Sequence, residues 1–349
     1  MKKTAVMTLF VLSACLCHFG FVHRLSAQEP FYKGKTIRIV VGFTPGGFYD
    51  RWARMFAKYM PKYIPGSPEI VVQNMPGAGS LVAANYVYNV AKPDGLTVGK
   101  LQYSIYMDQL VGRSEVQFDV RKFGWIGSPA SETVLLYMRN DAPYKSIRDI
   151  VKAKDAPKCG SSGTASNDYL VAKLLEDSIG AKFNTVLGYP GGSEIDLAVE
   201  KGEVVCRAHN ISAHFGREPF TSWHKKDFDR HIVQTGVKRD FRLPDTPTVY
   251  ELFEEYKTAD VSRRVAQVIL IGGDLGRPMV ITPGTPADRI NLLRNAYSRA
   301  LKDAELLIEA EKAKMDVDAT PGDELEVLIK KVMDQPKDVV ERVKKLLGN

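Results

Sequence analysis

The chain has 349 residues, 44% of them hydrophobic, and 48 Lys and Arg against 41 Asp and Glu give a formal charge of +7. So modest a basic excess, with no run of Lys and Arg interleaved with aromatics, argues against a nucleic-acid groove, and beyond the N-terminus no apolar stretch is long enough to span a membrane. The length suits two domains, each with its own core.

The N-terminus reads as a secretory leader: Lys2 and Lys3, an apolar run over residues 5–21, and a small-residue site ending at Ala27. Cleavage there removes Lys2, Lys3 and Arg24 but no acid, so the formal charge falls from +7 to +4 over 322 remaining residues. Leu12, Ser13, Ala14 and Cys15 offer a second reading, a lipoprotein site with Cys15 lipidated, but the apolar run continues past Cys15 and favours cleavage after Ala27. Two cysteines remain, Cys159 and Cys206, each in a strand-like run. An even pair in an oxidising compartment predicts a disulfide between adjacent strands of one sheet.

Residues 37–43 form a short β-branched run, and a helix with Trp52, Phe56, Tyr59 and Met60 follows from Asp50. Between them lie Pro45, Gly46 and Gly47, where uncovered backbone N–H groups at a helix start suit a carboxylate or phosphate. The pattern recurs. A strand over 69–75 leads into Gly77, Ala78, Gly79 and Ser80 and a helix with Leu81, Ala84, Tyr88 and Ala91; a turn at 92–95 and strands over 97–103 and 125–127 complete one α/β unit.

A second unit starts with a strand over 133–139 and a helix over 146–152. A strand over 158–162 then leads into Gly163, Thr164, Ala165, Ser166, Asn167 and Asp168, and the helix that follows ends at Gly180. A strand over 185–189 runs into Pro190, Gly191 and Gly192, with Ser193 and Asp196 expected as a capping box, and a strand over 203–209 follows. A strand over 231–236 can carry the chain back to the first unit. Strand-like runs over 267–272 and 279–282 and amphipathic helices over 286–302, 303–314, 321–333 and 336–347 complete the chain. In open parallel sheets ligands sit beyond the carboxyl ends of the strands, so two such units facing each other would make a cleft lined by helix N-termini.

An enzyme is the alternative class, either an α/β hydrolase or a metal-dependent enzyme. No G-x-S-x-G turn surrounds Ser161 or Ser162. His209, His214, His224 and His231 lack H-E-x-x-H spacing, and the spacing of Cys159, Cys206, His209 and His214 is unlike the usual zinc patterns. Neither a cofactor nor a metal is expected, and the isolated histidines read as structural or solvated.

In order and spacing, VGFTPGGFYD at 41–50, QNMPGAGS at 73–80, KPDG at 92–95, LPDTPT at 243–248 and ITPGTPADR at 281–289 resemble the substrate-binding proteins of tripartite tricarboxylate transporters, the Bug family. CGSSGTASNDY at 159–169 and the loop from Gly188 resemble that family's second-domain loops. The resemblance implies a type II, Venus-flytrap periplasmic binding protein: two α/β lobes, each a mostly parallel sheet flanked by helices, with the ligand cleft between them. It implies lobe 1 over 28–130, lobe 2 over 131–235, and lobe 1 again over 236–349. The implied partners are a small carboxylate (a di- or tricarboxylate, aromatic acid or acidic amino acid) and membrane permease subunits, for a monomer that binds no nucleic acid. Carried over by position, the ligand contacts fall on Phe43, Thr44, Gly46, Gly47 and Asp50, on Gly77, Ala78, Gly79 and Ser80, and on Gly163, Thr164, Ala165, Ser166 and Asn167, with Tyr189 and Gly191 nearby. Phe48 and Tyr49 depart from the small or polar residues usual after the paired glycines. With Tyr103 they are candidate apolar walls for a ligand.

Overall fold

The computed structural model describes residues 29–347, so the expected leader and Cys15 lie outside the described residues. In chain order its strands are β1 (Thr36–Val41), β2 (Glu69–Asn74), β3 (Thr97–Lys100), β4 (Gly124–Ser128), β5 (Val134–Arg139), β6 (Lys158–Gly160), β7 (Asn184–Val186), β8 (Cys206–Asn210), β9 (Asp229–Gln234), β10 (Met279–Ile281) and β11 (Thr320–Pro321). They form two sheets, ordered β11-β4-β10-β3-β1-β2 and β7-β6-β8-β5-β9.

Each sheet is mixed. In the first, β1 lies parallel to β2 and β3, and β10 enters antiparallel between β3 and β4. In the second, β6 is parallel to β7 and β8, while β5 runs against β8 and β9. Following the pairings outward, four strands of each sheet point the same way. Their carboxyl ends, and the loops that leave them, therefore gather at one edge of each sheet, and those two edges face each other.

The sequence explains the helix that opens the first lobe. Phe48–Tyr59 buries Phe48, Tyr49, Trp52, Ala53, Met55, Phe56 and Tyr59 along one stripe. The Phe56 ring stacks on Tyr297 of helix Ala287–Ala300 at 4.3 Å. This ties the start of the chain to a C-terminal helix.

Two expectations need correction. The run at 267–272 is not a strand but falls within helices Asp260–Leu270 and Gly272–Leu275, because Val265, Ala266, Val268 and Ile269 make one buried stripe of an amphipathic helix that begins at Asp260. Second, Ser193 and Asp196 form no capping box. Helix Gly192–Lys201 is capped by Gly191 without a side-chain bond, and the Asp196 carboxylate is drawn instead to Arg207 and Arg217. Late in the chain, Thr258 and Ser262 donate to the Ser178 and Asp177 carbonyls, Arg342 pairs with Asp177 at 2.6 Å, and Tyr169 donates to the Leu347 carbonyl, so helices Asp260–Leu270 and Lys337–Leu347 pack on helix Asn167–Ile179.

Cys159 and Cys206 are partners in the parallel register of β6 and β8 and are joined in a disulfide with Cα atoms 4.5 Å apart. The Cys159, Cys206, His209 and His214 set weighed for zinc is therefore not assembled. Among the described residues no helix is long and apolar enough to cross a membrane.

Candidate functional site

The loop after β1 turns on Gly46, whose φ of +83° is a left-handed conformation that glycine adopts without penalty. Its N–H does not face the cleft. It donates to Asp50 Oδ2 at 2.9 Å, and Arg54 Nε and Asn74 Nδ2 donate to the same buried carboxylate at 2.8 and 3.0 Å. Against burial, which raises it, these bonds hold the Asp50 carboxyl below its ordinary value. Asp50 is a brace for the loop, and Gly46 and Asp50 do not line the cavity. Asp50→Asn is expected to destabilise the fold by about 1–3 kcal/mol, read by urea unfolding. Because the folded carboxyl is depressed, this contribution is complete above about pH 4 and is lost as the pH falls further.

The lining begins with Phe43, Thr44, Gly47, Phe48 and Tyr49. Gly47 is the N-cap of helix Phe48–Tyr59, and the first intrahelical bond is Arg51 N–H to the Gly47 carbonyl. The N–H groups ahead of it belong to the unsatisfied first turn, at the positive end of the helix. The open first-turn amides at this loop are therefore those of Gly47, Phe48 and Tyr49, one residue further on than Gly46, whose N–H is taken by Asp50.

The opposite wall comes from the second sheet: Ser162, Ser166, Asn167, Asp168, Gly192, Arg207, Ala208, His209 and Asn210, with Ala213 and Arg217 from the segment that follows β8. Ser166 caps helix Asn167–Ile179, accepting from the Tyr169 N–H, and its hydroxyl lies 2.7 Å from Ser161 Oγ. The two lobes are closed on one another. Thr44 Oγ1 donates to Glu194 at 3.0 Å, Thr164 Oγ1 to Asp108 at 2.7 Å, and Tyr103 OH and Gln102 Nε2 to Asn167 Oδ1 at 2.6 and 3.2 Å. Ser104 donates to the Ala165 carbonyl. Between the lobes remains a cavity of about 80 Å³.

Many glycine-loop positions named from the sequence serve this closure. Gly163 faces Ala78 and Gly79 so closely that a Cβ on it would sit 2.7 Å from the Gly79 nitrogen. Ser80, at φ +82°, accepts from the Gln102 N–H. Gly77, Ala78, Gly79, Ser80, Gly163, Thr164, Ala165 and Gly191 thus lie outside the cavity lining, most of them at or beside the lobe contact, while Tyr103 and Tyr189 stand behind the lining.

Charge dominates the cavity. The Arg277 guanidinium, 2% exposed, pairs with Glu132 Oε1 at 2.8 Å and lies 4.5 Å from the centre of the Phe48 ring and 5.5 Å from that of Tyr49. Phe48 and Tyr49 are thus the aromatic bed of an arginine. Glu132 pairs with Arg277 through Nε, and among the described residues none makes a hydrogen bond to the two terminal amino groups of Arg277. Burial pushes the Glu132 carboxyl up, against the pull of Arg277 and the Asn167 amide. Behind them Lys100 donates to the Arg277 carbonyl, and burial together with Arg277 holds its ammonium well below the ordinary lysine range. Across the cleft Arg207 pairs with Asp168 at 3.0 Å and Asp196 at 2.8 Å, and these acids hold its guanidinium charged despite burial. Arg217 shares Asp196, and its buried Nε has no protein acceptor.

Gln102, Glu132, Arg207, Arg217 and Arg277 were not legible as site residues. Of these, Arg207 carried a signal: an arginine inside the otherwise apolar strand run EVVCRAH needs buried acids to face.

A model of the tripartite tricarboxylate transporter family receptors matches residues 53–344 of the chain. A UPF0065 protein in the gbd 5′ region of Cupriavidus necator is 29% identical over 231 residues, 65% of this chain and 67% of that protein. Among solved structures, the periplasmic binding protein BugD superposes with a TM-score of 0.71 at 20% identity, over 90% of this chain and 98% of that one. MatC from Rhodopseudomonas palustris with bound malate gives a TM-score of 0.68 at 21% identity, over 90% of this chain and 99% of that one.

Proposed function

The chain belongs to the tripartite tricarboxylate transporter family of receptors, and from that premise we propose that it captures a small carboxylate between its lobes and presents it to a membrane permease. The observation that carries the reading is the juxtaposition, inside a closed interlobe cavity, of a stacked Arg277 with the first turn of helix Phe48–Tyr59. A planar guanidinium with two available amino groups matches a carboxylate in bidentate fashion, and the helix amides add donors with no charge to desolvate. Arg217, on the opposite wall, suits a second anionic or hydroxyl group, so a dicarboxylate spanning the cleft is favoured. The bound malate of MatC, a protein of the same fold, is consistent with this size and chemistry.

Binding without turnover is part of the proposal. Glu132, Asp168 and Asp196 are each engaged by an arginine, which leaves them poorly placed to move protons for a substrate. We place the receptor in the periplasm as a monomer, residues 1–27 being its leader. The lobe boundaries fall in the crossings at 128–134 and after 234, and the helices at 260–270 and 337–347 are assigned to the second lobe.

A thermal-shift screen of di- and tricarboxylates, aromatic acids and acidic amino acids tests the function. A ligand at a hundred times its Kd stabilises by about 2.7 kcal/mol, and at least one carboxylate is expected to do so; stabilisation by none of them defeats the reading. Gly163→Val lies outside the cavity, yet its side chain would meet Ala78 and Gly79 and prop the lobes apart. The expected result is a receptor of normal stability whose carboxylate affinity falls about tenfold or more. Solution scattering should show no compaction on adding ligand.

A further inference from the structure

The described residues contain four histidines, and all four gather on one side of the second sheet, next to the cavity. His214 comes from helix Ile211–Gly216 and His224 from helix Phe220–Lys225, while Asp229 and His231 lie two apart on β9 and so share a face. One nitrogen or oxygen from each of His214, His224, Asp229 and His231 lies within 4.8 Å of those of the other three. His214 Nε2 is 3.1 Å from His231 Nε2 and 3.1 Å from Asp229 Oδ2, and His231 Nε2 is 3.8 Å from that same oxygen. Ligand atoms at the corners of a tetrahedron around zinc, with bonds of about 2.0–2.1 Å, stand about 3.3 Å apart.

Hydrogen bonds alone do not account for this cluster. Both Asp229 oxygens are buried and accept no hydrogen bond, and His224 Nε2 is buried without a partner. A buried carboxylate that accepts no hydrogen bond is costly, and facing ring nitrogens can share only one proton. The surroundings also resemble a ligand shell. The remaining nitrogen of His214, Nδ1, lies 3.1 Å from His209 Nε2, the outer hydrogen bond that fixes the orientation of a ligating imidazole. Phe215 closes one side against His224 and His231, and the 26% exposed His231 side chain marks the way in from solvent.

We propose that His214, His224, Asp229 and His231 form a binding site for one transition-metal dication of the zinc type. Three imidazoles and one carboxylate, with no sulfur and no water-rich oxygen shell, select zinc-like ions over magnesium or calcium. Four protein ligands make the site closed and structural rather than catalytic. Its effect would be to fasten two six-residue helices, each too short to be stable alone, to strand β9.

The test uses untagged full-length mature protein, stripped with a chelator and titrated with Zn²⁺ against a chromophoric competitor, and in parallel with Co²⁺. The expected result is one Zn²⁺ per chain and an intense tetrahedral Co²⁺ visible spectrum. His231→Ala and His224→Ala, both at partly exposed positions, are each expected to lower Zn²⁺ affinity by about tenfold or more with an unchanged circular dichroism spectrum. His214→Ala is less useful because its ring is fully buried. Failure of the wild type to bind Zn²⁺ stoichiometrically, or equal affinity in wild type and both variants, would overturn the proposal.

Discussion

Arg277→Lys is expected to leave the receptor folded and to weaken carboxylate binding by about a hundredfold, roughly 2.7 kcal/mol, in isothermal titration. Lysine keeps the charge beside Glu132, so the buried carboxylate is not orphaned. What it loses is planarity: an ammonium cannot lie flat against Phe48 and Tyr49 while offering two parallel donors to a carboxylate. Arg277→Met separates binding from folding. It removes the partner of a 1% exposed carboxylate side chain and should destabilise the fold by about 3–5 kcal/mol in urea unfolding. Unchanged affinity in Arg277→Lys would move the anion grip elsewhere in the cleft.

The second large effect is covalent. Replacing both Cys159 and Cys206 by alanine is expected to lower stability by about 4 kcal/mol in the chain-entropy model, since the bridge closes a loop across a separation of 47 residues. Both side chains are buried in the second sheet, so two alanines leave small voids and no unpaired polar group. Urea unfolding with and without reductant checks this. The wild type should lose the same increment on reduction, and the double variant should be indifferent to it.

The strand, glycine-loop and helix rhythm was legible because each part has a local cause: β-branched runs, positive-φ turns, and an apolar stripe such as Trp52, Phe56 and Tyr59. Phe43, Thr44, Gly47, Ser166 and Asn167, carried over by position from the family resemblance, and Phe48 and Tyr49, singled out as departures from it, do line the cavity. What local signals cannot say is where an exposed N–H is aimed. Gly46 looks like the better anion donor, yet Asp50, four residues on, claims its amide. The arginines were hidden for the same reason. Arg277 owes its place to Glu132 and to two rings more than two hundred residues earlier in the chain, and nothing near it in sequence marks it among 48 basic residues. The histidines show the effect most plainly. Spaced at 209, 214, 224 and 231 they match no motif, and only the packing of two short helices onto β9 brings His214, His224 and His231 within reach of Asp229.

The most direct test of the binding mode is a crystal structure of the receptor with the carboxylate that stabilises it most. The expected complex places a carboxylate group between the terminal nitrogens of Arg277 and the backbone N–H groups at the start of helix Phe48–Tyr59, with the lobes closed over it. A carboxylate bound outside the interlobe cavity, or inside it without touching either Arg277 or that helix turn, would contradict the proposed site.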